Sequence, residues 1–174
     1  MARPPRLKVY LAGGFFDLGE QLRNAYLAKA LKSLGHEVIL PQARAQKFYD
    51  SATHHIGLSA LQQDCLDQYT GRDMICIACL DGPDPSIGTN IGTAIDFAIA
   101  KEKTGRAIGY RTDFRPVLDH CAGLDYMFGT EGSVFIRLPC LGADGTELDE
   151  FIVKLAKMIH EEILKIEKAE GRIK

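Results

Sequence analysis

Apolar residues fall into short continuous runs, separated by stretches in which they recur every three or four positions. The first run, Leu7 to Ala12 (LKVYLA), is rich in β-formers and closes on Gly13-Gly14, and Leu18 to Leu34 then repeats apolar residues at helical spacing until Gly35. Glu37 to Leu40 predicts a second strand ended by Pro41, and a loop leads to a helix from about Ile56 to Tyr69. Met74 to Leu80 is apolar throughout, as a strand covered on both sheet faces must be, and Asp81-Gly82-Pro83-Asp84-Pro85 breaks it. A helix over Ile91 to Lys103, strands over Ala107 to Tyr110 and Ser133 to Leu138, and a long amphipathic helix over Glu147 to Ala169 complete the pattern. Strands alternating with helices of this length predict an α/β fold, a doubly wound five-stranded parallel sheet with its ligand crevice at the carboxyl ends of the strands. The loops at Gly13 to Leu18, Asp81 to Asn90 and Tyr110 to Thr130 are therefore the ones to watch.

Composition narrows the partner. The chain has 174 residues, 46% of them hydrophobic, and neither repeats nor low-complexity segments, so a single domain over residues 1–174 is expected. With 21 basic and 23 acidic residues the formal net charge is -2, which points away from nucleic acid and from an anionic membrane surface and toward a small molecule. The apolar run after Met1 to Arg6 is too short for a signal or a span, so a cytoplasmic protein is expected. Five scattered cysteines (Cys65, Cys76, Cys79, Cys121 and Cys140) do not form a disulfide framework. Cys76 and Cys79 have CxxC spacing but lie in a buried-strand pattern, and the histidines have no metal-like spacing, so neither a metal nor another cofactor is expected.

One stretch carries an anomaly. In Ile87 to Ala100, IGTNIGTAIDFAIA, the single charge is Asp96, set among apolar and small residues. A carboxylate packed against apolar groups loses hydration, so its presence asks for a use. A helix-start carboxylate stabilised by the macrodipole, worth about 0.3 to 1 kcal/mol, is the plain alternative. Gly13 and Gly14 permit a ligand to approach the backbone or simply make a turn. Phe15 and Phe16 supply either a stacking wall for a planar base or a cap on the core. The dinucleotide fingerprint GxGxxG is absent, because Gly13-Gly14 continues with these two bulky residues.

Together VYLAGGFF (Val9 to Phe16), RDMICIACLDGPD (Arg72 to Asp84), GTAIDFAIA (Gly92 to Ala100) and GYRTDFR (Gly109 to Arg115) resemble the nucleoside 2-deoxyribosyltransferases and their nucleotide N-glycosidase relatives over most of the chain. The resemblance implies a flavodoxin-like or Rossmann-like domain and the helix pattern D-x-G-T-A-x-E-x-G-x-A, whose Glu attacks the sugar and whose Asp contacts it. Asp96 stands at the Glu position and Asn90 at that Asp position. A second register, matching Ser86-Ile87-Gly88 to the hydrolase pattern S-x-G, puts Gly92 at the nucleophile position and leaves no carboxylate there, so the first is preferred. The chemistry implied is attack by Asp96 on C1' through an oxocarbenium-like transition state, giving a glycosyl-enzyme that a second base or water resolves. Tyr10 would orient the nucleophile and Asp64 would protonate the departing base, with Asp67 an exposed helical charge. Gly13, Gly14, Phe15, Asp81, Ser86, Asn90, Gly92 and Met127 are the implied substrate-binding residues, Asp81 alternatively forming a turn only. Nucleoside and free nucleobase are the implied small-molecule partners. The resemblance further implies a homo-oligomer with shared active sites, in which Leu124 to Val134, bearing Tyr126, Met127 and Phe128, closes a neighbour's pocket. An N-glycosidase, or a nucleotide-binding module that has lost the chemistry, is the alternative function.

Overall fold

The structure is a computed structural model that describes residues 4–53, 55–82, 90–113, 134–140 and 145–174. Its strands are β1 (Lys8–Ala12), β2 (Val38–Ile39), β3 (Tyr49–Asp50), β4 (His55–Ile56), β5 (Met74–Cys79), β6 (Ala107–Arg111) and β7 (Val134–Arg137). Its helices are α1 (Leu18–Ser33), α2 (Pro41–Ala45), α3 (Leu58–Tyr69), α4 (Ile91–Thr104) and α5 (Gly145–Ala169). Five strands pair in parallel in the order β2-β1-β5-β6-β7, a doubly wound flavodoxin-like sheet. Strand order reverses between β1 and β5, and the crevice of such a sheet opens there, beyond their carboxyl ends.

Side chains alternate across each strand, so the sheet has two cores. Val9, Leu11, Ile75, Ile77, Ile108 and Ile136 pack with Leu27 and Leu31 of α1 and Leu155 and Ile159 of α5. On the other face Tyr10, Ala12, Cys76, Ala78 and Leu80 pack with Tyr69 of α3 and Phe97 and Ala100 of α4. Cys76 and Cys79 are both buried and free, and they belong to opposite cores. Their CxxC spacing therefore makes no pair.

Local signals account for the helix ends. Asp17 caps α1 by accepting from Glu20 N at 2.9 Å, and Glu20 returns the favour by accepting from Phe16 N at 2.8 Å, a variant of the capping box. Gly105, with φ of 70°, ends α4 and donates to the Lys101 carbonyl. Pro41 opens α2 as its first residue rather than merely closing a strand. That short helix, a single 3₁₀ turn over Gln46–Phe48 and the antiparallel β3-β4 ribbon occupy what the periodicity predicts as a loop, and α3 begins at Leu58 instead of Ile56. Elements this short carry no periodicity that a sequence pattern can report.

Polar clasps fasten the margins. Glu167 is fully buried and accepts from Arg6 at 3.0 Å and from Leu7 N at 2.8 Å, pinning α5 to the start of β1. His36 and His160 approach at 2.8 Å across the same side of the sheet. Among the described residues no helix is long and apolar enough to cross a membrane.

Candidate functional site

Two groups of residues lie on the elements around the switch between β1 and β5. The first forms the rim. A Cβ at Gly14 would displace the Glu20 carboxylate, whose Oε1 would lie 1.9 Å away, from its bond to Phe16 N. Its carbonyl accepts from the buried Asn24 amide at 2.9 Å, which fixes the turn from β1 into α1. Phe15 and Phe16 stack on each other with centroids 5.0 Å apart, and Phe16 is 75% exposed, so it does not cap the core. Gly13 sits beside Asn24 and Cys79.

The expectation that Asp81 meets a ligand is not what its bonds describe. Asp81 accepts from Thr112 N at 2.8 Å, from Thr112 Oγ1 at 2.5 Å and from Asp113 N at 2.8 Å. Arg23 stands 4.0 Å away on the remaining side. The carboxylate thus ties the segment after β5 to the segment after β6, a long-range clasp that is neither a local turn nor a ligand contact. Asn90 is likewise engaged, capping α4 by accepting from Thr93 N at 3.2 Å, with Gly92 exposed in the turn it closes.

The second group lies deeper. Asp96 is half-buried in the second turn of α4, beyond the first turn in which the macrodipole acts strongly, so the helix-start explanation loses its basis. Its charge faces Tyr10, Tyr69, Cys65 and Cys76. Burial pushes the Asp96 carboxyl up to about 6, and a hydrogen bond from the Tyr69 hydroxyl draws it partly back. At neutral pH it is therefore ionised but poorly solvated, close to the range useful for catalysis.

Tyr10 does not make the contact expected of it. The side chain is fully buried, and its hydroxyl has no hydrogen-bond partner among the described residues. The Cys65 thiol lies beside it, a weak acceptor that does not replace an oxygen. Burial and then the Asp96 charge hold the Tyr10 phenol far above its ordinary range, so it stays protonated. Tyr69, the last residue of α3, packs edge-on against Tyr10 with centroids 5.3 Å apart, and its hydroxyl draws the Asp96 carboxyl downward. The family resemblance singled out Tyr10, on the first strand; its alternative, a strand residue packed in the core, is what its burial describes. Tyr69, at the end of a helix, carried no such signal.

Asp64 is also placed differently from its expected role. It forms a two-pronged ion pair with Arg44 of α2, both side chains about one quarter exposed. That pairing holds the Asp64 carboxyl below its ordinary range, so Asp64 has no proton to give while the pair stands. Arg44 belongs to the short helix that the periodicity missed. Asp67 is exposed and accepts from Gln63, as expected of a solvated charge. Among the described residues no cluster of metal-ligating side chains occurs. Ser86, Met127 and the Leu124 to Ser133 segment lie outside the described residues.

No protein-family model and no curated protein matches the chain. Solved structures do. A conserved protein from Enterococcus faecalis V583 is similar over 92% of this chain and 98% of its own, at 22% identity and a TM-score of 0.56. An oxidoreductase from Corynebacterium diphtheriae aligns over 92% of this chain and 98% of its own at 15% identity, with a TM-score of 0.42. The first similarity supports the doubly wound fold, and neither bears on the chemistry.

Proposed function

We propose that this protein is a nucleoside deoxyribosyltransferase, moving a (deoxy)ribosyl group between nucleobases through a covalent glycosyl-enzyme on Asp96. The observation that carries the reading is a half-buried carboxylate in the second turn of α4, pushed up to about 6 by burial, on a helix packed on the same sheet face as Tyr10, Tyr69 and Cys76. Desolvation raises the reactivity of an ionised oxygen, and a hydrogen bond to one oxygen leaves the other to attack. In the first half-reaction that oxygen bonds C1', and the electrons of the N-glycosidic bond leave with the base, which takes up a proton from solvent water. In the second half-reaction a ring nitrogen of another base attacks C1', loses its proton and releases the carboxylate. Asp64, ionised opposite Arg44, does not supply the first proton in this arrangement. The paired rings of Phe15 and Phe16 offer a planar apolar surface at the rim against which a base can stack.

Nucleoside and free nucleobase are the partners of this reading, and a homo-oligomer in the cytoplasm is its setting. Incubation with a 2'-deoxynucleoside, with and without a second free base, tests it by chromatography of the products. A new deoxynucleoside formed only in the presence of the acceptor base supports transfer. Release of base at the same rate with and without acceptor marks an N-glycosidase, and no change in either mixture across purine and pyrimidine donors contradicts both.

A further inference from the structure

We infer that the outer face of α1 is an interface with a second copy of this chain, the two helices packing antiparallel about a two-fold axis at Leu22. α1 lays Leu27, Ala28 and Leu31 of its inner face against the sheet and α5. A helix solvated on its other side would be polar there. Instead Leu18, Leu22 and Tyr26, successive four-residue steps along the helix, are 72%, 46% and 48% exposed, with the exposed Ala25 beside them. They form one apolar stripe, and a helix that is apolar on both sides has its outer side covered. The contact is independent of the Asp96 chemistry, whose surroundings lie on the other face of the sheet, and it uses none of the Leu124 to Val134 segment.

The charges select the occupant and its direction. α1 has its acids at the start, Asp17 at the cap and Glu20 in the first turn, and its bases, Lys29 and Lys32, toward the end. Two copies side by side in parallel set like charges together, whereas antiparallel copies bring each end to its opposite. With Leu22 on the axis, Leu18 meets Tyr26 of the partner subunit, so the stripe is complementary to itself. Lys29 then comes level with residue 15 of the other copy, and Asp17 of the partner subunit lies about 3 Å further along the axis, within a lysine's reach. The same ammonium stands next to the exposed Phe16 of the partner subunit, an aromatic face that favours a cation.

Three large side chains from each copy make a small interface, about 1,000 to 1,200 Å² in total, so association in the micromolar range is expected. The test is sedimentation equilibrium of the wild type and of Leu22→Arg up to about 100 μM, well above that range. Leu22→Arg sets two cations against each other on the axis while altering only an exposed position, and its melting temperature checks the fold. The mass of the assembly should fall by half at equal concentration. Ile95→Arg, which places the same charge at an equally exposed apolar residue of α4, should leave the mass unchanged. Lys29→Glu should raise the dissociation constant about tenfold, because two pairs at the rim are reversed. If Leu22→Arg does not fold, Leu22→Cys takes its place, and mild oxidation should give a disulfide-linked dimer that neither the wild type nor Ile95→Cys forms. A wild type that stays monomeric, an assembly that survives Leu22→Arg, an equal loss in Ile95→Arg, or Lys29→Glu associating as tightly as the wild type overturns the inference.

Discussion

Replacing Asp96 by Asn should make the protein more stable at neutral pH while ending its chemistry. The folded carboxyl titrates at about 6 against an ordinary 3.8, chiefly because burial disfavours the charge. At ~1.36 kcal/mol per pH unit that difference corresponds to about 3 kcal/mol. The sign follows from proton binding. With its pKa raised, the folded state holds the Asp96 proton more tightly than the unfolded chain, so this group favours folding below the ordinary value. That advantage is lost as pH rises from 3.8 through about 6, and above that the ionised group burdens the fold. Asparagine carries no charge and so escapes the cost of burying one. The variant should therefore gain up to about 3 kcal/mol over the wild type at pH 7 to 8, which is about 6 to 12 °C in melting temperature for a chain of this size, and nothing near pH 3. The assay is thermal or urea unfolding of both proteins across pH, compared as a difference so that other titrating groups cancel. An Asn variant no more stable than wild type at pH 8, or a difference independent of pH, would refute the reasoning.

Base exchange itself should fall as pH drops through about 6, with about a tenfold loss by one pH unit below, because only ionised Asp96 attacks; a rate flat from pH 5 to 7 contradicts this. His36 is pulled down to about 4 by burial and by His160 and Arg6, so it favours folding while neutral and destabilises as pH falls from its ordinary 6.5 toward 4. His36→Phe should remove that part of the acid sensitivity, read as melting temperature against pH. Glu167→Ala, which leaves Leu7 N and one face of Arg6 without their buried acceptor, should cost about 2 to 4 kcal/mol in urea unfolding. Asp64→Asn should lower base exchange by less than the roughly 100-fold typical of a lost general acid, and a larger loss would restore Asp64 to that role.

The large elements were legible because each has a long enough signal. β5 announced itself as an unbroken apolar run and α1 by apolar residues recurring at helical spacing up to Gly35, whereas the caps Asp17, Asn90 and Gly105 emerged only with the structure. α2 and the β3-β4 ribbon were not legible, being too short to repeat the pattern that would reveal them. Asp96 stood out because a lone charge in apolar sequence is a local fact. Its partner was invisible, because the contact between α3 and α4 joins residues 27 positions apart and no spacing rule connects Tyr69 with Asp96. The same holds for Arg44, whose pairing with Asp64 across two helices turned an expected acid into a fixed carboxylate. Asp81 and Asn90 show the converse: residue types suited to a ligand were taken by the backbone nearby, which sequence alone weighs only as an alternative.

Trapping the intermediate tests the central claim most directly. The protein is mixed with a 2'-deoxynucleoside without acceptor base, quenched in acid within the first turnover and digested with trypsin, and the peptide spanning residues 73–101 is sequenced by mass spectrometry. The account predicts that this peptide gains the mass of one deoxyribosyl group, that fragmentation places it on Asp96, and that the adduct disappears when free base is added before the quench. Turnover without any adduct on that peptide, or an adduct on a different carboxylate, would contradict it.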